Sequence, residues 1–367
     1  MSCVRGEFMK KLGFLFLLLL AVTLSACAEE SNEDSALNRR TRQYFNVFDS
    51  QVNIAIWSDH SDAEGTAILN TIHDMLWEVH NHSTKYDSIT GLNNVYYINN
   101  NPGVEIEVDP MLIEMIDLST ELYNYELSQG MFNISLGGVL EVWSTYRNRC
   151  IDDDVCQVPS MSTLAAANTM SDPNLIVVDD DNNTVLIPEG MKIDLGGIAK
   201  GYAASLVGDY LRDHGVEVYL IDAGSSNIEV FGVNPSEHRD FWSIGLRDPD
   251  NTGAIYARIA LESGWNAVSS GDYERYYNVE DDDLDYHHLI NPQTLMPSWH
   301  IRTVTVVAED PLLGDLYSTI AFLLAIEDAI AFIDSLENVE AIWLDSDRNI
   351  HMSANMEALF LTEIVTD

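Results

Sequence analysis

Cations are scarce in this chain. Among 367 residues, 18 lysines and arginines stand against 59 aspartates and glutamates, a formal charge of -41. A surface of that sign repels phosphate backbones, which excludes duplex nucleic acid as a partner. It reads as a hydrated surface suited to high salt, or as one that meets cationic partners. Cysteine is rare too, four in all, so a disulfide-packed miniprotein is excluded. The 21 glycines and 10 prolines are too few for a collagenous or low-complexity chain, and 46% hydrophobic residues suffice for a core.

Long apolar runs are nearly absent. The one run of note, residues 12–20, follows Met9-Lys10-Lys11 and ends at Leu24-Ser25-Ala26-Cys27. It is shorter than the roughly 20 residues of a membrane span, and its basic start and small-residue end describe an export signal. Leu24-Ser25-Ala26-Cys27 resembles the lipobox of bacterial lipoproteins, which implies lipidation of Cys27 after removal of residues 1–26. The mature chain then carries 15 basic and 58 acidic side chains, a charge of -43. Residues 27–42 are expected to form an acidic tether. The body is expected outside the cytoplasm, lipid-anchored to the outer face of the cytoplasmic membrane or held in the periplasm or cell envelope. Cys3 and Cys27 are accounted for by processing, so Cys150 and Cys156 are expected to pair in an oxidising compartment; a redox pair has closer spacing and a zinc site wants four ligands.

Along the mature chain no repeat and no long linker appears. Alternation marks strands near 51–57, 217–221, 227–233, 242–247, 254–261, 275–279 and 304–308, and a hairpin over 174–187. Helical stripes run over 66–79, 110–126, 198–213, 313–324 and 326–335. This is a mixed α and β chain, class α+β. Aspartate clusters at 152–154, 179–181 and 281–283 lack the pattern of a calcium loop and are expected at solvated turns.

Three stretches carry chemistry. In Asp194-Leu195-Gly196-Gly197-Ile198-Ala199-Lys200, glycines at a helix start expose free amides, and Lys200 adds a cation one turn in, a plausible diphosphate cradle. Alone it also fits an ordinary loop-to-helix turn, since it has neither a P-loop ending nor a dinucleotide fingerprint. Ser269-Ser270-Gly271-Asp272-Tyr273, followed by His287-His288-Leu289-Ile290-Asn291-Pro292, gathers polar groups and aromatics suited to a flat heterocycle. Adjacent strand histidines face opposite ways, so one at most is expected in a given site. Asp315 and Thr319, four apart on a helix, present two hard oxygens to one side, as a Mg²⁺ site with substrate phosphates requires; a plain helix start is the alternative.

In this order the pieces resemble the ApbE family of bacterial FAD:protein FMN transferases. The resemblance runs from about Phe45 to Met356 through Phe48-Asp49-Ser50, Ser83-Thr84-Lys85-Tyr86-Asp87, Gly130-Met131-Phe132-Asn133 and the stretches above. It implies a flavin transferase domain over residues 43–360, with an ApbE-like fold of two intimately packed lobes built from mixed sheets and flanking helices. The implied reaction transfers FMN from FAD, the substrate, to a serine or threonine hydroxyl of an acceptor flavoprotein of an exported or membrane electron-transfer system, releasing AMP with Mg²⁺ as cofactor. It assigns the metal to Asp315, Thr319 and a carbonyl near Gly197, and nucleotide contacts to Met131, Phe132, Asn133, Asp194, Lys200, Gly271 and Asp272. His288 becomes a general base or a phosphate contact. Asn133 and Asn291 stand where Asp is common, and Leu295 where Gly is usual. An FAD diphosphatase and a non-catalytic flavin-binding surface lipoprotein remain the alternative readings.

Overall fold

The backbone of the fold is an eight-stranded sheet, seen in a computed structural model that describes residues 37–365 apart from 225, 236–238, 252, 281 and 283. The segment expected as an export signal and Cys27 lie outside the described residues, as do Asp281 and Asp283.

The chain enters on β1 (Asn38–Val47) and β2 (Ser50–Ser58), then α1 (Asp62–Ser83), α2 (Val95–Asn100), β3 (Ile106–Glu107) and α3 (Pro110–Asn124). Next come α4 (Gly137–Asp153), α5 (Met161–Ala167), the hairpin β4 (Val177–Asp179) and β5 (Thr184–Leu186), and α6 (Ala199–Asp213). Strands β6 (Val218–Ala223), β7 (Asn227–Phe231), β8 (Trp242–Arg247), β9 (Ile255–Leu261), β10 (Asn266–Gly271), β11 (Tyr276–Asn278), β12 (Asp285–His287) and β13 (Ile301–Ala308) follow. The chain closes with α7 (Pro311–Leu323), α8 (Ile326–Asp334), β14 (Val339–Asp345), β15 (Ile350–Met352), α9 (Met356–Leu359) and β16 (Leu361–Ile364).

The large sheet has the order β1-β2-β6-β7-β10-β13-β14-β15. Mixed sheets were expected; the ladders from β2 across to β15 are antiparallel, with hairpins joining β6 to β7 and β14 to β15, and with α7 and α8 connecting β13 to β14. β1 begins at Asn38, so the folded part reaches into the stretch expected as tether, and the described residues from 39 on form one compact unit.

Helix α1 starts with a capping box, Ser61 with Glu64, and buries Ile68, Leu69, Ile72, Leu76 and Val79. Helices α1, α6 and α7 bury their stripes in the same core as Ile54 and Ile56 of β2, Tyr219 and Ile221 of β6, Val304 and Val306 of β13 and Trp343 of β14. A second core joins α4 to the histidine region through Trp143, Tyr277, Tyr286, Ile290 and Leu295. The Asp152–Asp154 cluster is a helix end and not a hairpin tip: α4 continues to Asp153, and Asp154 takes a left-handed conformation. Cys150, in the last turn of α4, is bonded to Cys156 just beyond it.

Candidate functional site

A cavity of about 500 Å³ opens where the two cores meet, lined by residues from Phe48 to Leu323. Glycines allow the close approaches around it. Gly201, in the first turn of α6, lies so close to α7 that a Cβ there would sit 2.7 Å from the Asp315 Cβ and from the Pro311 carbonyl. This approach lets the Gly201 N–H donate to Asp315 Oδ2 at 2.9 Å, joining the carboxylate to the free amides of a helix start. At Gly197 an added Cβ would meet the Phe132 ring at 3.0 Å. The sequence-expected cradle is therefore a close crossing of α6, α7 and the loop after residue 130.

Asp315 and Thr319 both line the cavity, with the Thr319 hydroxyl donating to the Asp315 carbonyl at 3.3 Å. Burial pushes the Asp315 carboxyl up against the pull of Lys200 and the Gly201 amide. Burial likewise pulls the Lys200 ammonium down, with Asp315 opposing; its Nζ donates to Ser226 Oγ at 2.5 Å. Among the described residues no group of three or more His, Cys, Asp or Glu gathers. The donors present are one carboxylate and one hydroxyl, both hard oxygens, so a cation here takes most of its shell from elsewhere.

Asp194 also lines the cavity with its carboxylate engaged: Oδ2 accepts from Lys85 Nζ at 2.5 Å and Oδ1 from the Gly196 N–H at 2.8 Å. Burial favours its neutral form, but Lys85 and that amide outweigh burial and hold it below the usual carboxylate range. At most one of the two histidines was expected in the site, but both line the cavity, and their hydrogen bonding differs. His287 Nδ1 accepts from the Leu289 N–H and its Nε2 therefore donates to the Ser298 carbonyl at 2.8 Å, a neutral ring with both nitrogens in use. His288 Nδ1 is buried without a partner. Burial, then the charges of Arg275, His287, Lys200 and Arg147, hold His288 well below its ordinary value.

Of the remaining expected contacts, Met131, Phe132, Asn133, Gly197 and Gly271 line the cavity. Asn133, however, commits its side chain to other protein groups: Oδ1 accepts from the Ser135 N–H and hydroxyl, and Nδ2 donates to the Ser171 carbonyl. Asp272 is a correction. It does not line the cavity; it turns away to accept from Arg302 Nε at 2.6 Å, and burial lifts it to about 6 against that guanidinium. The chain reverses immediately after Gly271, where a Cβ would collide with the Tyr273 ring, and the reversal carries Asp272 outward. Asn291 closes a turn through the Gln293 and Thr294 amides, and Leu295 holds the left-handed conformation, φ 63°, that Gly would adopt freely.

Sequence reasoning gave no role to Arg147, Arg275 or Lys85, yet four of the chain's 18 basic residues, these three and Lys200, line this one cavity. The scarcity of cations was the available signal: few exist, so their positions are informative.

Residues 48–343 match the model of the ApbE family. A Klebsiella pneumoniae protein named FAD:protein FMN transferase is 32% identical over 232 residues, covering 62% of this chain and 68% of that one. A Treponema pallidum protein of the same name is 29% identical over 264 residues, covering 68% and 70%. Among solved structures, an ApbE protein from Thermotoga maritima superposes with a TM-score of 0.76 at 26% identity, over 87% of this chain and 98% of that one. The apo Pseudomonas stutzeri flavinyl transferase ApbE, at 22% identity and a TM-score of 0.71 over 89% and 98%, shares the fold.

Proposed function

Because the chain belongs to the ApbE family, we propose that it is an FAD:protein FMN transferase, moving FMN from FAD to a serine or threonine hydroxyl of an acceptor flavoprotein and releasing AMP. The observation that carries the reading is the meeting, in one cavity, of Asp315 and Thr319, the Gly196–Gly197 helix start with Lys200, and the unpartnered Nδ1 of His288.

The acceptor oxygen bonds to the FMN-side phosphorus; the bond from that phosphorus to the bridging oxygen breaks, and its electron pair stays on AMP. The product is a phosphoester. His288 is the group positioned to take the hydroxyl proton. In the free protein it is neutral, and a bound diphosphate, being anionic, raises its proton affinity toward the working range. Phe132 and Met131 supply apolar surface for the flavin, and the amides of the α6 start face the diphosphate. The hard-oxygen donor set fits Mg²⁺: Asp315, Thr319 and the Gly197 carbonyl would hold it, and when bound it supplies positive charge to the diphosphate.

The test is incubation with FAD, Mg²⁺ and an acceptor protein bearing a Ser/Thr site. Covalently labelled protein is expected; free FMN instead would identify a diphosphatase, and unchanged FAD a binding protein. We also propose export and lipid anchoring through Cys27. Wild-type protein should sediment with membranes and Cys27→Ser should not; a cytosolic chain retaining residues 1–26 would reject this.

A further inference from the structure

With 59 carboxylates for 18 cations, an arginine should find an acid, and on this surface many do: Arg247 pairs with Glu274, Arg302 with Asp250 and Asp272, and Arg348 with Asp248 and Asp250. Two that face the cavity do not. Among the described residues neither Arg147, on α4, nor Arg275, in the segment between β10 and β11, has a carboxylate within ion-pair distance. Among the described residues Arg275 donates to the Phe48 carbonyl at 3.2 Å. The two are close enough to act on each other: Arg147 is lowered first by burial, with the charge of Arg275 adding to it. Two like charges turned into one cavity repel unless an anion lies between them.

The other cations of the lining have partners: Lys85 is committed to Asp194, and Lys200 donates to Ser226 Oγ. Arg275, Arg147 and Lys200 all act on the buried His288.

Resting on the transferase reading above, we propose that Arg147 and Arg275 form a second anion subsite that holds the phosphate of the departing AMP. As the bridging P–O bond breaks, its electron pair converts that phosphate from part of a diphosphate to a monoester, so negative charge grows there and not on the FMN side. Two guanidiniums, each able to donate a fork of N–H groups to phosphate oxygens, meet that growing charge.

The experiment measures AMP and adenosine binding to the full chain and to Arg147→Gln, Arg275→Gln and the corresponding Lys variants, with thermal unfolding as a control. AMP affinity should fall about tenfold or more in each Gln variant, less in the Lys variants, with adenosine binding unmoved and kcat for transfer reduced. Unchanged AMP affinity in both Gln variants would overturn the proposal, as would a defect confined to KM for the acceptor protein, which would assign the arginines to that partner. Equal loss of AMP and adenosine would also overturn it, by marking a structural role. Failure of the transferase reading is separately visible: the wild type would label no acceptor, whatever the AMP titrations give.

Discussion

Asp315 gives one carboxylate oxygen to the Gly201 amide, so its replacement by Asn keeps a hydrogen-bond acceptor there while removing the charge. Asp315→Asn should remain folded, melting within a few degrees of the wild type, and transfer FMN about 100-fold more slowly or worse; a rate within tenfold of wild type would remove Asp315 from the proposed metal site. At Leu295 two effects compete. A left-handed leucine costs about 1–2 kcal/mol, and burying its side chain contributes about 1.5–3 kcal/mol. Leu295→Ala, which loses the burial and keeps the strain, should therefore be less stable than Leu295→Gly by about 1 kcal/mol in denaturant titration, although Ala retains more apolar surface. The reverse order would show that the turn is not strained. Asp194, Gly197, Lys200, Asp315 and Thr319 were legible in the sequence because a helix start and a four-residue spacing are local patterns. Lys85, 109 residues from Asp194 in sequence, was not: only the fold makes that pair. Asp272 was misassigned because sequence order does not reveal on which side of a turn a residue leaves the strand.

Helix α6 lies against the sheet through Gly208, where a Cβ would fall 2.4 Å from Glu229 Oε1. Glu229, buried on β7, accepts from the Tyr219 hydroxyl at 2.7 Å and Arg212 Nη1 at 2.9 Å, while its Oε2 has no partner. Burial lifts its carboxyl to about 7 despite those partners. Between the ordinary glutamate value and pH 7 the unfolded chain gives up this proton and the folded chain keeps it. The contribution of Glu229 to stability should therefore fall as pH rises through that window and level off above it, by about 3 kcal/mol at 1.36 kcal/mol per pKa unit. Asp272, also lifted by burial, adds a slope of the same sign, whereas His287 and His288, held below the ordinary histidine value by burial, add slopes of the opposite sign. The test is therefore the stability difference between Glu229→Gln and wild type in urea titrations from pH 4.5 to 8, which should shift in favour of the variant as pH rises; a difference that does not change with pH would place the titration elsewhere. Elements with one wet face were readable from their periodicity, as for α1, α3, β8 and β9. β14 was not, since Val339 to Leu344 are all buried and no alternation is left to read. α4 opens on two glycines and carries a polar, arginine-rich second half, so it gave no helical stripe; Gly137 is there because a Cβ would strike the Lys192 carbonyl at 2.5 Å.

Over the whole molecule, a strongly negative surface encloses a cavity holding four cations. FAD, itself an anion, meets repulsion before it meets attraction. Its affinity should rise as ionic strength goes from about 0.01 to 0.1 M and the screening length shrinks from about 30 to about 10 Å. A steep monotonic loss of FAD binding with salt, as for a basic nucleotide binder, would contradict this. The lining also runs from Phe48 to Leu323, so no contiguous half of the chain owns the site. A break in the exposed turn at Asn251, between β8 and β9, would leave Lys85, Arg147 and Lys200 on one piece and Arg275, His288, Asp315 and Thr319 on the other. Neither piece should attach a flavin alone. Fused to two proteins that associate, the pieces would become a split reporter, writing each encounter onto an acceptor as a permanent fluorescent mark.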